Sequence, residues 1–176
     1  MEDHQVSVVV NAPIEQVYPM FTHFNDFPKF MSFVKEVTYL DDQTSHWVVD
    51  VAGRHEWDAI NTDWIPNRQI GWESTKGREN RGLVTFEPLG PDQTRVTVNV
   101  QYNPPGGVVG KVGEKLGAGD RFDHALQKDL NHFARMVEEA PPDARDPESS
   151  NYLFHRHSAA ARQQTTDAQN RTMGIE

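Results

Sequence analysis

Apolar residues in this chain change their period once. From Val34 to Tyr102 they recur mainly at every second position. Beyond the run Tyr102-Asn103-Pro104-Pro105-Gly106-Gly107 they recur at threes and fours as far as Val137. The first period belongs to strands with one covered face and the second to an amphipathic helix. A valine-rich alternation also marks His4–Val10 as a strand. Asn11-Ala12-Pro13 follows and reads as a helix start, with Asn11 as the cap and Pro13 in the first turn. Val17, Met20, Phe21 and Phe24 then share one helical face. Asn25-Asp26-Phe27-Pro28 reads as the break, with a short helical turn continuing through Met31.

Six strand-like runs fill the middle of the chain: Val34–Asp41, Thr44–Val51, His55–Trp64, Gln69–Ser74, Leu83–Pro88 and Thr94–Tyr102. Turn residues separate them at Asp41-Asp42-Gln43, Gly53-Arg54, Pro66-Asn67, between Gly77 and Gly82, and at Leu89-Gly90-Pro91-Asp92. Such short connections imply an antiparallel meander. With the first strand this makes about seven strands, enough to curl.

A single helix over 107–139 would be about 50 Å long, too long for this domain. Gly117-Ala118-Gly119-Asp120 is the natural break. The first piece carries Val108, Val109, Val112 and Leu116. The second takes Asp120 as its cap and carries Phe122, Leu126, Leu130, Phe133 and Val137. Pro141-Pro142 stops it, so residues 1–140 read as one domain and 141–176 as a polar, disordered or loosely helical tail. Tyr152-Leu153-Phe154 is the tail's one apolar cluster. The predicted class is α+β, a curved sheet with two short helices and a long C-terminal helix laid across it. That arrangement encloses a cavity, and a cavity implies a ligand.

Composition narrows the ligand and the setting. The 176 residues include 17 basic and 26 acidic ones, for a net charge of -9, and no cysteine. Disulfides, thiolate metal sites and cysteine nucleophiles are excluded. An acidic chain without a basic cluster suits neither nucleic acid nor an anionic membrane surface. No stretch approaches the ~20 apolar residues of a membrane span. No secretory leader is evident, and a cytoplasmic location is expected. His124 with His132, and His155 with His157, are too sparse for a metal site. No P-loop, Rossmann glycine pattern or nucleophile elbow occurs, so no metal or cofactor is expected.

Alternation then assigns faces. Trp47, Trp57 and Trp72 fall on the inner faces of three consecutive strands and would make an aromatic floor beneath the helix. Ordinary core packing accounts for each tryptophan equally well. Phe86 and Tyr102 share those inner faces, and Phe122, Leu126, Leu130 and Phe133 face them from the helix. Asn61 stands on the apolar face as a polar handle, unless a bulge or the open end of the sheet accounts for it. Ser74 and Tyr102 are further handles. His46, Asp50, Glu56 and Asp58 fall on the outer face, while His55 shares the face of Trp57 beside the Gly53-Arg54 turn.

In this order of elements the chain resembles the helix-grip or START-like fold of the birch-pollen allergen. Within that SRPBCC superfamily it resembles the bacterial polyketide cyclase/dehydrase group, to which coenzyme Q-binding START-domain proteins are related. The resemblance rests on Val9-Val10-Asn11-Ala12-Pro13 with Val17-Tyr18, Phe27-Pro28-Lys29-Phe30-Met31, His46-Trp47 and Glu56-Trp57-Asp58-Ala59. It continues through Ile70-Gly71-Trp72-Glu73-Ser74, Gly82-Leu83-Val84-Thr85-Phe86, the Tyr102–Gly107 run, and Asp129-Leu130 with Phe133. It covers residues 4–139 and leaves the tail without a counterpart. It implies a protein that binds or carries a hydrophobic small molecule such as a lipid, a quinone or a polyketide-like compound. The alternative it implies is a cofactor-independent cyclase or dehydrase, working with cavity Arg and Tyr side chains. The candidates for that chemistry are His55, Arg54 and Tyr102. No arginine falls on an inner strand face apart from Arg54 at its turn, and that departure weighs against an enzyme.

Overall fold

The computed structural model describes residues 1–22, 24–51, 53–103 and 119–140. Its elements are β1 (Glu2–Val10), α1 (Ile14–Phe21), a 3-10 helix (Phe24–Lys29), β2 (Val34–Tyr39), β3 (Thr44–Asp50) and β4 (Arg54–Ile65). They continue as β5 (Gln69–Gly77), β6 (Asn80–Gly90), β7 (Gln93–Tyr102) and α2 (Gly119–Glu139). The strands form one antiparallel sheet in the order β1-β7-β6-β5-β4-β3-β2. The meander runs in chain order from β2 to β7, and β1 closes onto β7 with Val6 opposite Val98. The sheet curls around α2 in the helix-grip arrangement.

The apolar residues of α1 sit between the curled sheet and α2. Val17, Tyr18, Met20 and Phe21 are all buried. Phe21 meets Phe86 of the sheet at 5.4 Å and Phe133 of α2 at 4.8 Å, both edge to face. Phe30 packs on both Phe133 and Phe21, at 5.0 and 5.4 Å. These rings fill the half of the fold nearest the C-terminal end of α2.

Four polar contacts fix α2 to the rest of the chain. His4 Nδ1 pairs with Asp123 Oδ1 at 2.7 Å. The Gln127 side-chain amide donates to the Ser7 carbonyl at 2.9 Å. The buried Asp129 carboxylate accepts from the Ser32 N–H at 2.8 Å and from its hydroxyl at 2.9 Å. The Asn11 N–H donates to Glu138 at 2.9 Å. The contacts span the helix from its second turn to its last, so it is held along its length.

Three local expectations are corrected. Asn11 does not cap α1: Pro13 holds that position in extended geometry, without a side-chain cap bond. Phe24 lies beyond α1, which ends where Thr22 turns back onto the Pro19 carbonyl through its N–H and its hydroxyl. Asn25 to Pro28 is the body of the 3-10 helix rather than a break. The Phe24 N–H donates to the Tyr39 hydroxyl at 2.9 Å, and Lys29 pairs with the buried Asp26 at 2.7 Å. These long-range and side-chain bonds hold a turn that the Pro and Asn residues would otherwise leave open. The Val108–Leu116 piece and the 141–176 tail lie outside the described residues. Among the described residues, no helix is long and apolar enough to cross a membrane.

Candidate functional site: an apolar cavity with one polar end

Between the sheet and the first turns of α2 lies a cavity of about 260 Å³. Its floor is built from period-two positions on neighbouring strands. Trp47 of β3 is directly opposite Trp57 of β4, and the rings stack at 5.9 Å with 10° between their planes. Trp72 of β5 stacks on the other side of Trp47 at 6.0 Å and 19°. Trp72 has room because its cross-strand partner is Gly82: a Cβ there would come within 2.1 Å of the indole. Val84, Val98 and Val100 extend the wall across β6 and β7, and Phe122 and Leu126 close it from α2. Met31, Phe33 and Val34 complete it beside the start of β2.

The polar residues of this wall gather at one end of the sheet, by the β3–β4 and β5–β6 turns. They are His55, Arg78, Asn80 and Tyr102. Register explains the gathering. Asn80 pairs with Tyr102, Trp57 pairs with Gly77, and the Arg78 N–H bonds the Glu56 carbonyl at 3.3 Å. Gly77 permits this close approach, with a φ of 86° and a hypothetical Cβ only 2.5 Å from the Glu56 carbonyl. Asn80 is spent on the scaffold: its Oδ1 accepts from the Trp72 indole at 3.1 Å, and its amide donates to the Arg78 carbonyl at 2.8 Å. Burial first, and then the Arg78 charge, hold the His55 imidazole below its ordinary value of 6.5. The half-buried imidazole is therefore neutral at neutral pH and can accept a proton or a hydrogen bond.

Of the residues singled out from the sequence, Trp47, Trp57, Trp72, His55, Tyr102, Phe122 and Leu126 line the cavity. Leu130, Phe133 and Phe86 do not: Phe21 packs on Phe86 and Phe133, Phe30 packs on Phe133, and Leu130 is fully buried in the core. Asn61 does not either. It sits opposite Trp72 with its side-chain oxygen buried and without a hydrogen-bond partner. Phe24 packs against Trp47, Trp64 and Trp72 at 5.2, 5.5 and 6.1 Å and fills that end of the interior. Ser74 is turned to the scaffold, where its hydroxyl accepts the Asn80 N–H at 2.9 Å. Arg54 is exposed and paired with Glu56 at 2.6 Å, so it is not the cavity arginine.

The cavity arginine is Arg78, which corrects the expectation that no arginine lies inward. The β5–β6 hairpin is longer than its turn residues suggest, with β5 reaching Gly77 and β6 starting at Asn80. Continuing the alternation Phe86, Val84, Gly82 backwards points to Asn80 and then Arg78. His4 was likewise not legible from the sequence. It is buried, stacked on Tyr102 at 5.0 Å and edge-on to Phe122 at 5.0 Å. His46, by contrast, stays on the outer face with Asp58 at 2.6 Å, as its alternation requires. Among the described residues no group of three or more His, Asp or Glu side chains could hold a metal ion.

A curled antiparallel sheet gripping a helix, with an aromatic cavity between them, defines a helix-grip protein built to hold an apolar small molecule. The chain belongs to the polyketide cyclase / dehydrase and lipid transport family, whose model matches residues 10–124. It is similar to an uncharacterized 17.2 kDa protein from Streptomyces lincolnensis, 36% identical over 141 residues, 79% of this chain and 91% of that one. Among solved structures, a Deinococcus radiodurans protein is 28% identical with a TM-score of 0.62, over 78% of this chain and 98% of that one. The Zhui aromatase/cyclase from a Streptomyces species shares the fold with a TM-score of 0.64 at 19% identity, over 79% of this chain and 96% of that one.

Proposed function

We propose that the protein is a cytoplasmic carrier that binds a hydrophobic small molecule between its tryptophan floor and the first half of α2. The observation that carries this reading is the cavity of about 260 Å³, with apolar walls and its polar side chains confined to one end. Such a site removes apolar surface from water while a few polar groups set orientation. Ligand pockets commonly run from about 300 to 1,000 Å³, so a compact ligand suits this one. Three parallel indoles favour flat rings or a chain laid along their faces. Native mass spectrometry of the protein purified from its own host tests the reading. A co-purified apolar compound, displaced by the uncharged dye Nile red, is the expected result. A cavity that takes up neither would overturn it.

A second reading, cyclisation or dehydration of a polyketide-like substrate, is favoured by one observation. A neutral imidazole, a guanidinium and a phenol line the same end of the cavity. His55 would take a proton from a carbon between two carbonyls, and Arg78 would stabilise the enolate oxygen that forms. Tyr102 would orient the adjoining carbonyl. Incubation with a poly-β-carbonyl thioester mimic separates the readings. Turnover lost in both His55→Gln and Arg78→Gln supports the enzyme, and unchanged substrate in the presence of tight binding supports the carrier.

A further inference from the structure

We propose that the ligand is an apolar monocarboxylate, seated with its carboxylate against Arg78 and the indole N–H of Trp57; this rests on the binding function proposed above. Arg78 is a permanent cation at the polar end of a mostly apolar cavity. The ion-paired arginines among the described residues have their carboxylates outside the cavity, Arg54 with Glu56 and Arg95 with Glu87. Arg78 has none among the described residues. Its hydrogen bond goes from Nη1 to the Asn103 carbonyl at 2.8 Å, which leaves the rest of the guanidinium fork unused. A half-buried charge without a counter-ion is unfavourable, and a bound anion would remove that cost.

Trp57 supplies the second, independent observation. Three of the four indoles have an acceptor: Trp47 on the Ser45 hydroxyl at 2.8 Å, Trp64 on the Gly71 carbonyl at 3.0 Å, and Trp72 on Asn80 at 3.1 Å. The Trp57 Nε1–H is buried and has no acceptor among the described residues. Trp57 also lines the cavity, one strand away from Arg78. A buried donor left unmade costs its full desolvation. One group satisfies both residues. A carboxylate offers two oxygens with about four acceptor positions, matches the guanidinium fork and keeps a lone pair for an indole N–H. An alcohol or a hydrocarbon would leave the Arg78 charge uncompensated.

The test compares decanoate with decanol on the full chain at about pH 8, where the carboxyl is ionised. Calorimetric titration and displacement of Nile red both read it. Decanoate should bind about tenfold tighter than decanol, or more, in line with a charge-assisted hydrogen bond. Arg78→Gln should remove most of that preference, read as the ratio of the decanoate and decanol affinities of the same variant. Trp57→Phe, which keeps an aromatic ring and loses the N–H, should weaken decanoate several-fold. Arg54→Gln, at the exposed ion pair of the neighbouring turn, should leave the preference intact. Equal affinities for decanoate and decanol in the wild type would overturn the proposal, and so would a decanoate preference that survives Arg78→Gln. Loss of all binding, Nile red included, counts against the carrier function itself, so the two failures are distinguishable.

Discussion

Trp57, Gly82 and His55 each concentrate one physical effect. Trp57 offers the cavity an indole face that stacks on Trp47. Trp57→Ala removes this face and should weaken an apolar fluorescent probe by about 1–3 kcal/mol, read by titration of the folded variant. Unchanged affinity would reduce Trp57 to scaffold. Gly82 makes room for the Trp72 ring, and no rotamer of another residue reproduces that space. Gly82→Ala should cost about 1–3 kcal/mol in a urea titration and perturb tryptophan fluorescence, because the clash is with a ring locked between neighbours. His55 has a folded pKa below its unfolded value of 6.5. Between those two values the unfolded chain binds more protons at this position, so stability rises with pH. Wild type should therefore lose stability relative to His55→Asn as pH falls through about 6.5, and the loss should level off below the folded pKa. Thermal melts of both proteins between about pH 8 and pH 5 check the sign.

At the scale of elements, α2 is held by its apolar stripe together with a few polar contacts, of which those of Asp129 and His4 are part-buried. Asp129 is 5% exposed and accepts two hydrogen bonds from Ser32, so its removal orphans a backbone N–H and a hydroxyl together. Asp129→Ala should cost about 1–3 kcal/mol in chemical denaturation. Ser32→Ala should cost less, because the Ser32 N–H still reaches the carboxylate. An equal loss in both would mean that the hydroxyl alone anchors the helix. The stripe itself divides the work. Leu130, Phe133 and Val137 pack into the core, while Phe122 and Leu126 face the cavity.

The whole molecule joins a solid half to a hollow half. Aromatic rings from α1 and the 3-10 helix fill one end of the space inside the curled sheet, and the cavity is what they leave at the other. No contact in the described residues requires anything beyond Ala140 to complete this core. A chain ending at Asp143 should accordingly melt within about 2 °C of the full chain, a shift worth at most about 1 kcal/mol for a domain of this size. A larger drop would assign a packing role to the segment around Tyr152-Leu153-Phe154.

The sequence by itself determined the kinds of element and much of their order, because period two and period 3.6 are local properties of the chain. The six-strand meander, the valine-rich first strand and the three inward tryptophans were all legible in that way. Strand ends were less so: β5 and β6 run on past their last apolar residues because cross-strand pairing holds polar residues such as Lys76 and Asn80 in the ladder, with Arg78 in the turn between them. Only the tertiary structure decided where the cavity stops. Asn61, Phe86, Leu130 and Phe133 have the right periodicity for its wall, but Phe21 packs on Phe86 and Phe133, Phe24 fills the end near Asn61, and Leu130 is buried in the core. Periodicity says which face a residue takes. What stands opposite that face depends on contacts between residues as far apart as Phe21 and Phe133, and no local pattern encodes them.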